Sequence, residues 1–157
     1  VNAMSHSRTG ALIVFEKNDP LTPIVNTGTR INADVNAELI KNIFYNKAPL
    51  HDGAMVIADT RIEAAGCILP LSSTLDMSKD LGTRHRAALG LSESYDGVTV
   101  VVSEETGAIS FCSGGILKRH LAPETLERLL INELLPALPE EREKQSLWQR
   151  LKGGKGR

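Results

Sequence analysis

Residues 98–103 form the strongest strand signal in the chain, because the run is almost wholly apolar and β-branched. Thr106 and Gly107 turn it toward a second run at 108–112, so the two read as a hairpin that Gly114 and Gly115 end. A second hairpin is expected where 54–58 meets 62–69 around Asp59 and Thr60, with Pro70 stopping the later run. Hairpins are antiparallel, so they exclude a purely parallel sheet.

Helical patterns lie between these runs. The apolar stretch 11–15 is expected as a buried strand. After a turn between Pro20 and Pro23, Asn36 can cap a helix in which Leu39, Ile40, Ile43 and Phe44 recur at helical spacing. A second helix is predicted over 84–94, with Thr83 as its N-cap and Ala87, Ala88 and Leu91 on one face. Pro123 suits the first turn of a third helix carrying Leu126, Leu129, Leu130 and Leu134. Residues 140–151 read as a charged helix anchored by Leu147, Trp148 and Leu151. The expected class is mixed α/β (α+β), a central mixed sheet with helices on both faces.

The 157 residues suit one domain, expected over 5–137. Residues 138–157 are expected to form a charged helix and flexible tail, and 1–4 read as a vector-derived remnant outside the fold. Eighteen basic residues against nineteen acidic ones leave a net charge of -1, so nothing in the bulk charge favours nucleic acid. No run reaches the roughly 20 apolar residues of a membrane span. Cys67 and Cys112 lie in apolar runs without a CxxC partner, which argues for buried thiols rather than a zinc site.

Three segments hold polar residues that neither a core nor a solvated surface readily explains. His51-Asp52-Gly53 stands at the mouth of an apolar strand, where glycine lets a ligand approach the backbone; an Asx turn entering the strand is the plainer alternative. Gly82-Thr83-Arg84-His85-Arg86 places two arginines at a helix start, where acids are normally preferred, and an anion would resolve that conflict. Surface arginines are the alternative. Ser103-Glu104-Glu105 ends a buried strand, and its carboxylates could solvate a turn, bind a metal ion or meet a ribose hydroxyl. Neither GxxxxGK[ST] nor GxGxxG occurs, which removes P-loop and Rossmann phosphate binding.

Taken in order, Asp52-Gly53-Ala54, Gly82-Thr83-Arg84-His85-Arg86-Ala87-Ala88 and Ser103-Glu104-Glu105-Thr106-Gly107 resemble the diadenylate cyclase domain, over about residues 10–135. The chain is most similar to the membrane-anchored class of that family, whose members carry hydrophobic helices ahead of the domain. The resemblance implies a transferase that condenses two ATP into the second messenger cyclic di-AMP with a divalent metal, Mg2+ or Mn2+. It implies Asp52, Arg84, His85 and Arg86 as catalytic residues, and His51 and Asp52 as metal ligands. Gly53, Ala54, Leu69, Gly82, Thr83, Arg84, Ser103, Glu104 and Glu105 would bind nucleotide, Leu69 through its backbone at the adenine edge. Ile68 stands where related cyclases often carry an aromatic residue beside the base. The implied partners are ATP, a second copy in a face-to-face homodimer, and a regulatory protein, with no nucleic acid. The implied location is the cytoplasmic face of a bacterial membrane, reached through upstream helices.

Three rival readings differ in chemistry. A catalytically silent adenine-nucleotide sensor would keep the pocket without turnover. A metal-dependent phosphohydrolase would use His51-Asp52 with a further distant His and Asp, and His6, His85 and His120 are poorly set for that. An interaction module would leave Arg84 and Arg86 without a purpose.

Overall fold

The apolar run 11–15 takes the centre of the sheet, because a strand apolar on both faces must be covered on both. The structure, a computed structural model, describes residues 1–74 and 81–135. In chain order the elements are α1 (Asn2–His6), β1 (Ala11–Phe15), α2 (Thr22–Val25), β2 (Thr29–Asp34), α3 (Ala37–Ile43), β3 (Ala54–Ala58), β4 (Arg61–Cys67), α4 (Thr83–Ser94), β5 (Val98–Val102), β6 (Ile109–Ser113), β7 (Ile116–Lys118) and α5 (Pro123–Leu134). The strands form one seven-stranded sheet in the order β2-β4-β3-β1-β5-β6-β7. Among the described residues only β1 and β3 pair in parallel, and every other pairing is antiparallel. The expected mixed sheet is present.

Alternate side chains of each central strand feed two separate cores. Leu12, Val14, Val56, Val101 and Cys112 pack with Ile24 of α2 and with Ala88 and Leu91 of α4. Ile13, Met55, Ile62, Val100 and Phe111 pack on the other side with Met4 of α1, Ile43 of α3 and Leu126 of α5. Helices therefore cover both faces, as the sequence predicts. Each fully buried Leu, Ile or Phe contributes about 1.5–3 kcal/mol.

Local chemistry explains most element ends. The Asn36 side chain accepts a hydrogen bond from Leu39 N at 2.8 Å and caps α3. Asp59 and Thr60 both take positive φ, 47° and 71°, the signature of a two-residue hairpin turn. Pro123 opens α5 as expected.

Four features depart from the sequence reading. The N-terminal residues set aside from the fold begin α1, and Met4, 2% exposed, anchors that helix in the core while residues 1–3 stay exposed. Gly82, not Thr83, is the N-cap of α4, because Thr83 is already helical and no side chain caps this end. That register puts Arg84 and Arg86 at the second and fourth helical positions. Strand β4 ends at Cys67, leaving Leu69 just beyond it. Strands β2 and β7 had no sequence counterpart, being an exposed edge of polar residues and a three-residue edge. The expected helix at 140–151 lies outside the described residues.

A candidate nucleotide-binding cleft

The parallel β1–β3 pair has antiparallel neighbours, so loops from β3, β4, β5 and the start of α4 gather at one end of the sheet. They enclose a cleft of about 690 Å3. Its lining includes His51, Asp52 and Gly53 before β3, Gly82 to His85 at the start of α4, and Ser103 to Glu105 after β5. All three polar segments singled out in the sequence thus meet in one place, although they lie far apart in the chain.

The first wall depends on close backbone approach. Strand β4 has seven residues against five in β3, and register shifts accommodate the difference as bulges. Gly66, at one bulge, takes φ 66°, and Gly53 takes φ 120°. A Cβ on Gly53 would lie 2.8 Å from Gly66 C and 2.9 Å from Cys67 O, so only glycine fits where Asp52 enters the strand. Asp52 itself is exposed to the cleft. The His51 ring shares a hydrogen bond of 2.7 Å between Nδ1 and Ala48 O. A carbonyl can only accept, so Nδ1 carries the proton and Nε2 keeps a free lone pair in the neutral ring.

The second wall is the start of α4. Its first-turn N–H groups have no intrahelical partner, the N-cap Gly82 has no side chain to offer them, and no acid lies in that turn. Arg84 reaches across to Glu104, donating from Nη1 to Oε2 at 2.9 Å. The Arg84 side chain is 19% exposed and that of Glu104 is 64% exposed. The Nε of Arg84 is buried without a hydrogen-bond partner among the described residues. His85 turns inward instead, with Nε2 3.1 Å from Ser110 Oγ. Burial first, then the charges of Arg119 and His120, hold its imidazole below the usual histidine range, so it is neutral near pH 7.

Other expected site residues have different surroundings. Arg86 is exposed outside the cleft lining, its guanidinium 3.5 Å from Ser72 O, while its own carbonyl accepts from Ser72 N at 3.0 Å. It braces the segment after β4. The Ala54 side chain is fully buried in β3 and also outside the lining. Leu69 lines the cleft at 7% exposure, beside Ile68, which is 70% exposed. Ser103 Oγ accepts from the backbone N–H groups of Glu105 and Thr106, so it shapes the turn that presents the two glutamates.

Three contributors escaped the sequence reading. Gly10, just before β1, leaves the space that the Arg84 guanidinium fills, since a Cβ there would lie 2.7 Å from Nη1. Arg119, just after β7, joins the lining. Cys67 also lines the cleft, but burial pushes its thiol up to about 11 against a lowering hydrogen bond from Gly28, so it remains a thiol and not a nucleophile. A lone glycine, arginine or cysteine carries no sequence signal of such placement.

With seven mixed strands, helices on both faces and a polar cleft at the sheet end, the molecule is a mixed α/β domain with an anion-receptive cleft. Comparison with known proteins narrows this. Residues 1–117 match the DAC family model, described as DisA bacterial checkpoint controller nucleotide-binding, and the chain belongs to that family. It is 44% identical over 152 residues to the diadenylate cyclase of Listeria monocytogenes, covering 97% of this chain and 55% of that protein. The crystal structure of a double mutant of DacA from Staphylococcus aureus superposes with a TM-score of 0.85 at 47% identity, covering 86% of this chain and 90% of that one. A hypothetical membrane spanning protein from Bacillus cereus gives a TM-score of 0.73 at 47% identity, over 76% of this chain and 59% of that one. The chain spans about half the length of the Listeria relative.

Proposed function

We propose that this domain is a diadenylate cyclase, joining two ATP molecules into cyclic di-AMP and releasing two pyrophosphates. The observation that carries the reading is the convergence of Asp52, Arg84 and Glu104 on one cleft in a member of this family.

Each bond of the product needs the 3′-hydroxyl of one ATP in line with the α-phosphorus of the other. Little covalent chemistry is asked of the protein, so positioning and electrostatics dominate. Asp52, exposed beside the Gly53–Gly66 contact, accepts the proton of the 3′-hydroxyl. The uncapped start of α4 receives phosphate oxygens through its N–H groups. Arg84 stabilises charge growing on the leaving pyrophosphate, exchanging Glu104 for phosphate as its partner. Glu104 and Glu105 line the far wall with Leu69 and Ile68 near the base.

A divalent ion fits the donors present. His51, with the Nε2 lone pair, and the adjacent Asp52 both line the cleft and would hold the ion, with phosphate oxygens of the nucleotide as further ligands. Bound there, the ion would make the 3′-hydroxyl more acidic and offset phosphate charge. No group of three or more His, Cys, Asp or Glu side chains suited to a metal occurs among the described residues, which counts against the self-contained cage of a phosphohydrolase.

The cleft presents one ATP, so two copies facing each other by a two-fold axis make both bonds, matching the symmetry of the product. No described helix is long and apolar enough to cross a membrane. Attachment to the cytoplasmic face of a membrane through sequence outside this chain, with a regulatory protein acting there, completes the proposal; likeness to the membrane spanning protein supports the attachment.

Asp52→Asn tests the mechanism. Turnover should fall by at least about a hundredfold, the scale of a lost general base, while ATP binding by calorimetry persists. Undiminished synthesis of cyclic di-AMP by the variant would refute the role of Asp52.

A further inference from the structure

The charges lining the cleft do not balance in the way an ATP site requires. Among the described residues, Asp52, Glu104 and Glu105 supply three carboxylates to the lining, and Arg84 and Arg119 supply its two guanidinium groups. Arg84 is already paired with Glu104 at 2.9 Å. Arg119 is exposed at the rim, and among the described residues its side chain takes part in no ion pair. Among the described residues, an anion entering the cleft therefore meets one cation already engaged by Glu104 and one, Arg119, outside any ion pair.

The backbone that carries Arg119 is pinned on both sides. Lys118 pairs with Phe111 across β6–β7, and Leu121 N donates to Ile109 O at 2.9 Å. Between them His120 takes φ 56°, a left-handed conformation rare outside glycine. These constraints fix the point from which Arg119 reaches the cleft. Its charge lies near enough to His85, the neighbour of Arg84, to add to the larger effect of burial in holding that imidazole below the usual histidine range.

We propose that Arg119 binds the terminal phosphates of the nucleoside triphosphate, and hence the pyrophosphate that leaves. The proposal rests on the diadenylate cyclase reading and adds a residue and a subsite to it. A guanidinium matches the paired oxygens of a phosphate and stays charged at any working pH. AMP lacks the two terminal phosphates, so Arg119 contributes to ATP affinity and not to AMP affinity.

The test is calorimetric titration of the wild type, Arg119→Ala and Arg119→Lys with ATP and with AMP. Arg119→Ala should weaken ATP binding about tenfold, the scale of one charged hydrogen bond. AMP binding should stay within about twofold, and Arg119→Lys should recover part of the loss because the charge remains. The exposed position makes a folding defect an inadequate explanation for selective loss of ATP. Equal weakening of both nucleotides, or unchanged ATP affinity, would overturn the assignment. With a wild type that binds ATP and makes cyclic di-AMP, that result removes Arg119 alone. A wild type that binds neither nucleotide overturns the cyclase reading together with this one.

Discussion

A Cβ on Gly10 would sit 2.7 Å from Nη1 and 2.8 Å from Cζ of Arg84, and 3.1 Å from Glu104 Cβ. The main obstacle to a larger residue is thus the end of a flexible side chain, which can move away, while Glu104 Cβ need give by only a few tenths of an ångström. Gly10→Ala should therefore cost little stability, below about 1 kcal/mol. It should lower kcat by about tenfold or more, because a displaced cation no longer faces the developing charge. Thermal melting and steady-state assays of the same preparation separate the two effects; a large fall in Tm with intact kcat would contradict this account. Arg84 stood out in the sequence because arginines at a helix start violate local preference, whereas Asp52 and Glu104 fit ordinary turns and were singled out by the ordered motifs that resemble the family. Gly10 did not stand out, since its neighbour Arg84 is distant in the chain and only the fold brings them together.

At the scale of elements, α4 links the cleft to the core. A glycine within a helix costs about 1 kcal/mol relative to alanine, so Gly90 looks unfavourable in isolation. Its reason is tertiary, because a Cβ there would collide with Pro70 O and approach Ser72 N to 2.7 Å. The backbone of the segment after β4 lies directly on the helix, and Ser72 N donates to Arg86 O at 3.0 Å. Gly90→Ala should destabilise the fold by about 1–3 kcal/mol through overpacking against rigid backbone, measured by urea unfolding; stability equal to wild type would show that this contact yields. Strands β1, β3 and β5 and the capped α3 were legible because apolar runs and Asn36 are local signals. Strand β2 was not, because its Thr-Arg-Ile-Asn-Ala-Asp sequence carries no local strand signal and its place is set by pairing with β4. The N-cap of α4 was read one residue late because Gly82 caps without a side chain.

For the molecule as a whole, the proposed unit of activity is a pair of copies, each holding one ATP. Activity per subunit should then rise with protein concentration across the dissociation range and level off once pairs are saturated. A flat specific activity over a wide dilution series that crosses into monomer, as followed by light scattering, would contradict shared catalysis. The mixed sheet was legible from its two hairpins, whereas the order of strands and the meeting of three loops at one sheet end required the fold. The most direct measurement is incubation of the protein with ATP and Mg2+ or Mn2+, followed by chromatographic and mass identification of the nucleotide formed. Cyclic di-AMP, with one pyrophosphate released per ATP consumed, is the expected result. Bound ATP recovered unchanged, or ADP and phosphate without any cyclic dinucleotide, would contradict it.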